Sequence, residues 1–516
     1  MAHAGETQAQ DRGPGIEDGA SPSVWRYARA SRAAVLIDAA DYFSAMQQAM
    51  LKAQARIFLI GWDFDTRIYL DNGAPGHPRG EGGQSYPPRL GAFFSWLVET
   101  RPTLEIRILK WSFGMFKFVL RSSMWMDLLR WARHPRIDFM FDSAHPVGCS
   151  HHQKIAVIDN TLAVCGGIDM TVKRWDTRDH PPVNPRRRLQ PHGDHHDPWH
   201  DASMIMEGPV ADALAELGED RWERAGGKPL APIAARTESI WPDGLHVTFE
   251  DVEIGIARTR AGYGDCEPVN EIERLFLEHI GRAKKFIYAE SQYFASRKVA
   301  EAIIARVQQD DCPEIVIVHP ANADGWLEQQ AMDHSRAELV RLINAADRKD
   351  RFSIWSPVND ATHIYVHAKI MIVDDEIFRI GSANINNRSL GLDSECDVFV
   401  DTARPVNAHA GPAITAIRHS LLAEHLGLAE KDIGGLLEKH GSMRALIDAA
   451  ITETGRNLLE YIPPELNEVQ QTLAESALLD PEKPDDMFEP YARGGMFRAG
   501  SRLKQVRDRF RRRRKR

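Results

Sequence analysis

Cysteine is scarce: Cys149, Cys165, Cys266, Cys312 and Cys396 are the five among 516 residues. They are odd in number, widely spaced and without a C-x-x-C pair, so neither a disulfide framework nor a zinc ribbon is suggested. A reducing compartment, the cytoplasm, fits that usage. No window of about 18 or more uninterrupted apolar residues occurs, which excludes a membrane-spanning helix and leaves only peripheral contact with lipid. The first 24 residues lack the basic start and apolar run of a secretory signal and read as a disordered lead. Excess positive charge is missing as well, the formal net charge being −9. From Arg498 to Arg516 there are eleven Lys or Arg against one Asp, a balance of +10, which leaves −9 − 10 = −19 for the rest. An acidic body argues against a nucleic-acid backbone as the main substrate, and no specific nucleic-acid partner is expected. The basic stretch Arg498–Arg516 is a cluster of the kind anionic lipid headgroups attract. Its alternative is a solvated terminus.

What is present is length, a 43% hydrophobic content and a repeat. The length supports two domain-sized cores or one bilobal unit. The stretch "HHQKIAVIDNTLAVCGGIDM" returns 215 residues later (367 − 152) as "VHAKIMIVDDEIFRIGSANINNRS". His152, Lys154, Asp159, Gly166 and Gly167 match His367, Lys369, Asp374, Gly381 and Ser382. One His-x-Lys-x-x-x-x-Asp is weak, whereas two with matching tails are a strong signal. The duplication extends further. A helix pattern from Ala40 running into a strand near Ile57–Ile60 has the plan of "IERLFLEHIGRAKKFIYAESQYF". "LEIRILKW" corresponds to "PEIVIVHP", and "RIDFMF" to "RFSIWSP".

These periods predict an α/β fold: two similar α/β/α sandwich lobes from an internal duplication, with the active site at the lobe interface. The expected division is a lead over 1–24, a first lobe over 25–235, a second lobe over 236–430, a helical C-terminal extension over 431–496 and a basic tail over 497–516. "DIGGLLEKHGSMRALIDAAITETGRNLLEYI" reads as helical throughout.

The duplicated motifs resemble those of the phospholipase D superfamily, whose members carry them twice. The flanking "GGIDMTVKRWDTRDH", "PWHD…EGPV", "ESQYF" and "GSANINNRSLG…DSE" look like its eukaryotic-type branch. The likeness spans about Trp25 to Gly427. On a strand, side chains two apart share a face, so each motif presents its His and Lys together. One His and one Lys per lobe at a shared cleft suit phosphoryl transfer on a diester. One imidazole attacks phosphorus, the other protonates the departing alkoxide, and two ammonium groups stabilise the nonbridging oxygens. No metal and no cofactor are expected. Spacing does not tell which His attacks; the resemblance implies His152 as nucleophile and His367 as acid.

A nucleophilic His needs an acceptor on its other nitrogen. "WHDASMIMEGPV" and "DSECDVFVD" occupy equivalent places after each motif, so Asp201 is expected to orient His152 and Glu395 to orient His367. Asp159 and Asp374 complete the motifs and point away from His and Lys on an extended strand; they read as structural. The resemblance implies that they bond donors in the turns toward Gly166 and Gly381. The small Gly166 and Gly381 would let backbone pass close to a phosphate, and Gly167 and Ser382 beside them are substrate-binding candidates. Asn384 is by resemblance a phosphate donor, a role not extended to Asp169 at the matching place. Gln292, Trp62, Asp63 and Trp175 are candidates for the site wall. His192, His195, His196 and His200 lie among acids, but their spacing matches no zinc template.

The resemblance implies a phospholipase D-type phosphodiesterase acting on a phospholipid, releasing phosphatidic acid and an alcohol through a phosphohistidine. The alternative is a phosphatidyltransferase of the cardiolipin-synthase kind; a nuclease and a non-catalytic membrane-binding protein rank lower. A monomer, cytoplasmic and peripheral on the membrane, is expected.

Overall fold

Apolar strand runs alternate with amphipathic helical ones along the chain. The computed structural model describes residues 15–19, 21–70, 85–111, 122–187, 195–233, 236, 238–321 and 326–464. The tail at Arg498–Arg516, His192 and most of the lead lie outside these. In the first half the elements are β1 (Ile16–Asp18), β2 (Arg26–Ile37), α1 (Ala39–Lys52), β3 (Arg56–Gly61), α2 (Leu90–Thr100), β4 (Glu105–Trp111), α3 (Ser122–Trp131), β5 (Ile137–Asp142), β6 (Ile155–Ile158), β7 (Leu162–Gly166), β8 (Trp199–His200), β9 (Ala202–Glu207) and α4 (Val210–Arg224). The second half continues with β10 (Phe249–Arg260), β11 (Val269–Asn270), α5 (Glu271–Arg282), β12 (Phe286–Glu290), α6 (Arg297–Val307), β13 (Glu314–Val318), α7 (Trp326–Ala346), β14 (Phe352–Asn359), β15 (Thr362–His363), β16 (Tyr365–Val366), β17 (Ile370–Val373), β18 (Ile377–Gly381), α8 (Asn387–Gly391) and β19 (Glu395–Asp401). Then follow α9 (Gly411–Leu426), α10 (Glu430–His440), α11 (Met443–Ala450) and β20 (Arg456–Glu460).

Apart from the short pair β8–β16, the described strands form one hydrogen-bonded sheet that reads β5–β4–β3–β6–β7–β9–β2 in one half and β10–β19–β18–β17–β12–β13–β14 in the other, joined where β2 pairs β10. The order mirrors itself about that junction, as a duplication requires. The outer three strands of each half are parallel and joined through helices, while the inner ones are antiparallel. On one face α1, α2 and α3 cover a core in the first half, and α5, α6 and α7 cover a separate one in the second. On the opposite face α4, α9 and α11 share a single core that runs through both halves. Helix α1 shows why: Phe43, Met46 and Met50 recur at three- to four-residue spacing and are buried, so the helix forms to hide that stripe.

The segment after the second lobe is not helical throughout. Residues Arg456–Glu460 pair antiparallel with β14 and extend its sheet. Gly455, at φ +86°, turns the chain into that strand; an L-residue there would be strained. Apolar spacing in "RNLLEY" suited a helix as well as a strand, and the open edge of β14 decided between them.

Candidate functional site

Both His-Lys pairs sit in the extended residues just before β6 and β17, and each lead-in is hydrogen-bonded to the other half of the molecule. His367 N–H donates to His200 O at 2.7 Å, and His152 N–H donates to Ser394 O at 2.9 Å. β8 and β16 pair in parallel, and His151 bridges Ser394 in the same sense. The next residue along each partner strand therefore arrives beside the opposite histidine. Asp201 Oδ2 lies 2.7 Å from His367 Nδ1, and Glu395 Oε1 and Oε2 lie 3.1 and 3.0 Å from His152 Nδ1. This corrects the expected pairing: Asp201 serves His367 and Glu395 serves His152. The duplication gives equivalent positions but does not say whether partners meet within a half or across it; the crossed lead-ins place them across.

Ser382 supports the first pair. Its carbonyl is 3.1 Å from His152 Nδ1, and its hydroxyl donates to Glu395, which also accepts from Ser389 at 2.7 Å. A carbonyl can only accept, so Nδ1 of His152 carries the hydrogen and Nε2 keeps its lone pair. Lys154 and Lys369 each donate to the carbonyl of the histidine two residues back. Burial, then the charges of Lys154 and Lys369, hold His152 well below the ordinary histidine value. Burial, Lys369 and Arg174 do the same to His367. Burial raises Asp201 to about 7 and Glu395 to about 8, and lowers Lys369 to about 7. Burial thus works against charge on both sides of each hydrogen bond.

Gln292 accepts weakly from Lys369 Nζ and from Asn384 Nδ2, both at 3.5 Å, and donates to Tyr365 Oη at 2.9 Å. Asn384 is buried and its Oδ1 has no hydrogen-bond partner. Asp169 faces Lys154 at 3.4 Å and accepts from Trp62 N–H, so it is the lysine's counter-charge. Trp62 lies edge-on to His152 with ring centroids 6.3 Å apart. Asp63 is held by Lys110 and Thr171, and Trp175 belongs to the first-half core. A Cβ on Gly167 would fall 2.1 Å from Asp201 Oδ1 and 3.2 Å from His367 O, so this glycine makes room for the carboxylate that holds His367. At Gly381 the space is filled by Asp397.

Asp159 and Asp374 face away from this group, at the far ends of β6 and β17. Asp159 accepts from the N–H groups of Gln54, Ala55 and Arg56 and from Arg236. Asp374 accepts from those of Lys284, Lys285 and Phe286. The expected bonds toward Gly166 and Gly381 are not what they make; each fastens its motif strand to the start of the neighbouring one, β3 or β12.

Sequence reasoning missed three groups. Arg174 is nine-tenths buried and stacks 4.3 Å from the centre of the Trp199 ring, whose ring also stacks on Tyr365 at 4.6 Å and lies 5.1 Å from His367. The signal was present in "KRWD" and "PWHD", but only the fold shows that these segments meet. The third is a cluster behind Asp201, where Asp38, His180, His200 and Glu424 bring four donor atoms within 4.8 Å of one another, all buried. His180 Nδ1 is held by Asp176 at 3.0 Å and His200 Nε2 by Glu290 at 2.7 Å, leaving Nε2 and Nδ1 aimed inward. That is how carboxylates orient histidines that hold a divalent cation, and the donor set fits one. Asp38 has φ +65° and does not cap α1; its carboxylate turns to the histidines instead, and Oδ2 lacks a hydrogen-bond partner. Without a cation, burial opposes charge on His180, but Asp38, Asp176 and Glu424 outweigh it and push the group up to about 9. Among the described histidines of the histidine-rich stretch, His200 joins this cluster and His196 bonds Asp197 O.

A family profile described as Phospholipase D matches residues 344–475. Phospholipase D alpha 1 of Brassica oleracea var. capitata is 25% identical over 407 residues, covering 55% of this chain and 49% of that protein. Phospholipase D1 of Saccharomyces cerevisiae is 25% identical over 504 residues, covering 78% of this chain and 29% of that one. The chain spans about half the length of the plant relatives it matches. The crystal structure of phosphatidylserine synthase from Haemophilus influenzae Rd KW20 covers 81% of this chain and 94% of that chain at 13% identity, with a TM-score of 0.49.

Proposed function

Because the chain belongs to the phospholipase D superfamily, we propose that it is a phosphodiesterase of the phospholipase D type acting on glycerophospholipids. The observation that carries this reading is the crossed pair of histidines, each held at Nδ1 by a buried carboxylate of the opposite half, with two lysines and Arg174 around them. His152 is the nucleophile: its Nε2 lone pair attacks phosphorus while the bond from phosphorus to the headgroup oxygen breaks. His367 gives its Nε2 proton to that oxygen, and the alcohol leaves. Burial, then the field of Lys369, Arg174 and Lys154, opposes a proton on His367, and an arriving phosphate anion offsets that field. The lysines and Asn384 then face the nonbridging oxygens. Water, losing a proton to His367, releases phosphatidic acid; an alcohol in its place gives a new phospholipid, so hydrolysis and transfer share one intermediate. Among the described residues no helix is long and apolar enough to cross a membrane.

The test is a headgroup-release panel on mixed vesicles, with and without glycerol or a primary alcohol. Release of headgroup with phosphatidic acid or its alcohol ester as product is expected. His152→Ala and His367→Ala should each abolish it, because the two act as one unit. More than a few per cent of activity in both variants, or the covalent phosphate found on His367, would overturn the assignment.

A further inference from the structure

Alternation along the first motif puts His152 and Lys154 on one side of the extended chain and His151 and Gln153 on the other. The second side faces a cavity of about 230 Å³, lined by His151 and Gln153 together with Arg221, Arg224, Arg258, Arg260 and Thr259. In the second motif the matching residues are Val366 and Ala368, both fully buried in the core, so the polar back belongs to one half only.

The cavity has unfilled polar capacity. Arg260 is part-exposed to it, and its Nε has no hydrogen-bond partner. Four arginines line the cavity against three aspartates, Asp142, Asp220 and Asp265. Three of the arginines are committed at short range: Arg221 to Asp142 at 2.8 Å, Arg224 to Asp220 at 2.7 Å and Arg258 to Glu271 at 2.7 Å. Arg260 is left with Asp220 at 3.7 Å and the carbonyl of Glu267 at 3.3 Å. Burial and the like charges of Arg224 and Arg258 hold it below the usual arginine value. Leu217 and Val269 supply an apolar wall.

We infer that this cavity binds a small amphiphilic anion, a phosphate monoester or carboxylate on a short apolar body, and that its occupancy is felt at His152. The anionic head meets the Arg260 guanidinium, and the apolar body lies along Leu217 and Val269. The route to the cleft is short. His151 Nδ1 bonds Ser394 Oγ at 2.6 Å, and Ser394 O accepts from His152 N–H. Gln153 Nε2 donates to Glu395 O at 3.1 Å. The binding claim stands on the cavity alone; the coupling claim rests on the reading that His152 reacts.

Cys266 lines the cavity and is half-buried, whereas the other four cysteines are buried, so alkylation reads this place specifically. Hexyl phosphate is the probe, and the modified thiol is located by mass spectrometry on the full chain. Hexyl phosphate should slow Cys266 alkylation severalfold and saturably. Arg260→Gln should remove that protection, while Lys369→Ala, which removes a cation from the cleft, should keep it. Alkylation of the four buried cysteines reports any variant that unfolds. No protection of the wild type, protection kept in Arg260→Gln, or protection lost with Lys369→Ala overturns the site. For the coupling, saturating hexyl phosphate should alter turnover of a soluble diester by wild type but not by Arg260→Gln; identical responses overturn it.

Discussion

The two copies of the motif are alike on the face that meets the cleft and unlike behind it. In front, His152 and Lys154 match His367 and Lys369, each with a carboxylate on Nδ1. At the far end, Asp159 and Asp374 each gather three backbone N–H groups. Behind, His151 and Gln153 line an open, arginine-rich cavity, whereas Val366 and Ala368 are sealed in the core. The orienting carboxylates differ as well: Asp201 is one methylene shorter and bonds its histidine at 2.7 Å, while Glu395 is braced by Ser382 and Ser389. A two-fold arrangement needs equal groups only where both halves touch the same phosphate; elsewhere each half can diverge.

The largest expected effect separates the two orienters. Asp201→Asn and Glu395→Gln should each lower kcat by about 10⁴-fold on a natural headgroup, the scale seen when a histidine loses its orienting carboxylate. A soluble diester with a nitrophenol leaving group should restore much of the loss for Asp201→Asn, whose partner is the proposed acid, and little for Glu395→Gln, whose partner is the proposed nucleophile. The reverse pattern would exchange the roles of the halves, and equal losses on both substrates would dissolve the distinction.

Next in size is stability. Asp159→Ala and Asp374→Ala each strand three backbone donors, and each should cost on the order of 3 kcal/mol. The Asp159 variant should lose more, because Arg236 also loses its partner at 2.6 Å. Urea midpoints at unchanged m read this directly. Midpoints equal to wild type for both would show that these aspartates are not fasteners.

The smallest effect is in pH dependence. Glu395 lies at about 8 in the folded chain, above the ordinary 4.5, so between those values the folded state keeps a proton that the unfolded state releases. That contribution is fully present below 4.5 and is lost as pH rises toward 8. Glu395→Gln should flatten this part of the stability–pH curve. An unchanged slope between wild type and variant would show that Glu395 ionises normally.

Much of the site was legible because residue type and spacing encode it locally. His152 and Lys154 share a face by strand alternation whatever the rest of the chain does, and two copies exclude coincidence. Asp201 and Glu395 could be named from equivalent positions, yet their partners could not, because pairing depends on His367 bonding His200 and His152 bonding Ser394 across the junction. Arg174 was not seen as part of the site since nothing local distinguishes an arginine stacked on Trp199 from a surface one. The cluster of Asp38, His180, His200 and Glu424 draws on positions up to 386 residues apart (424 − 38), so no spacing rule reaches it.

By itself the sequence determined the α/β layering, the duplication and the front face of each motif, which follow from periodicity and identity along the chain, and it carried the family resemblance in its motifs. The tertiary structure decided what depends on how the halves cross: a single sheet joined at β2 and β10, the exchanged carboxylates, β20 on the edge of β14, and the cavity behind one motif alone. Those outcomes are set by contacts between residues hundreds of positions apart, and a one-dimensional pattern carries no information about which of two equivalent surfaces a carboxylate will meet.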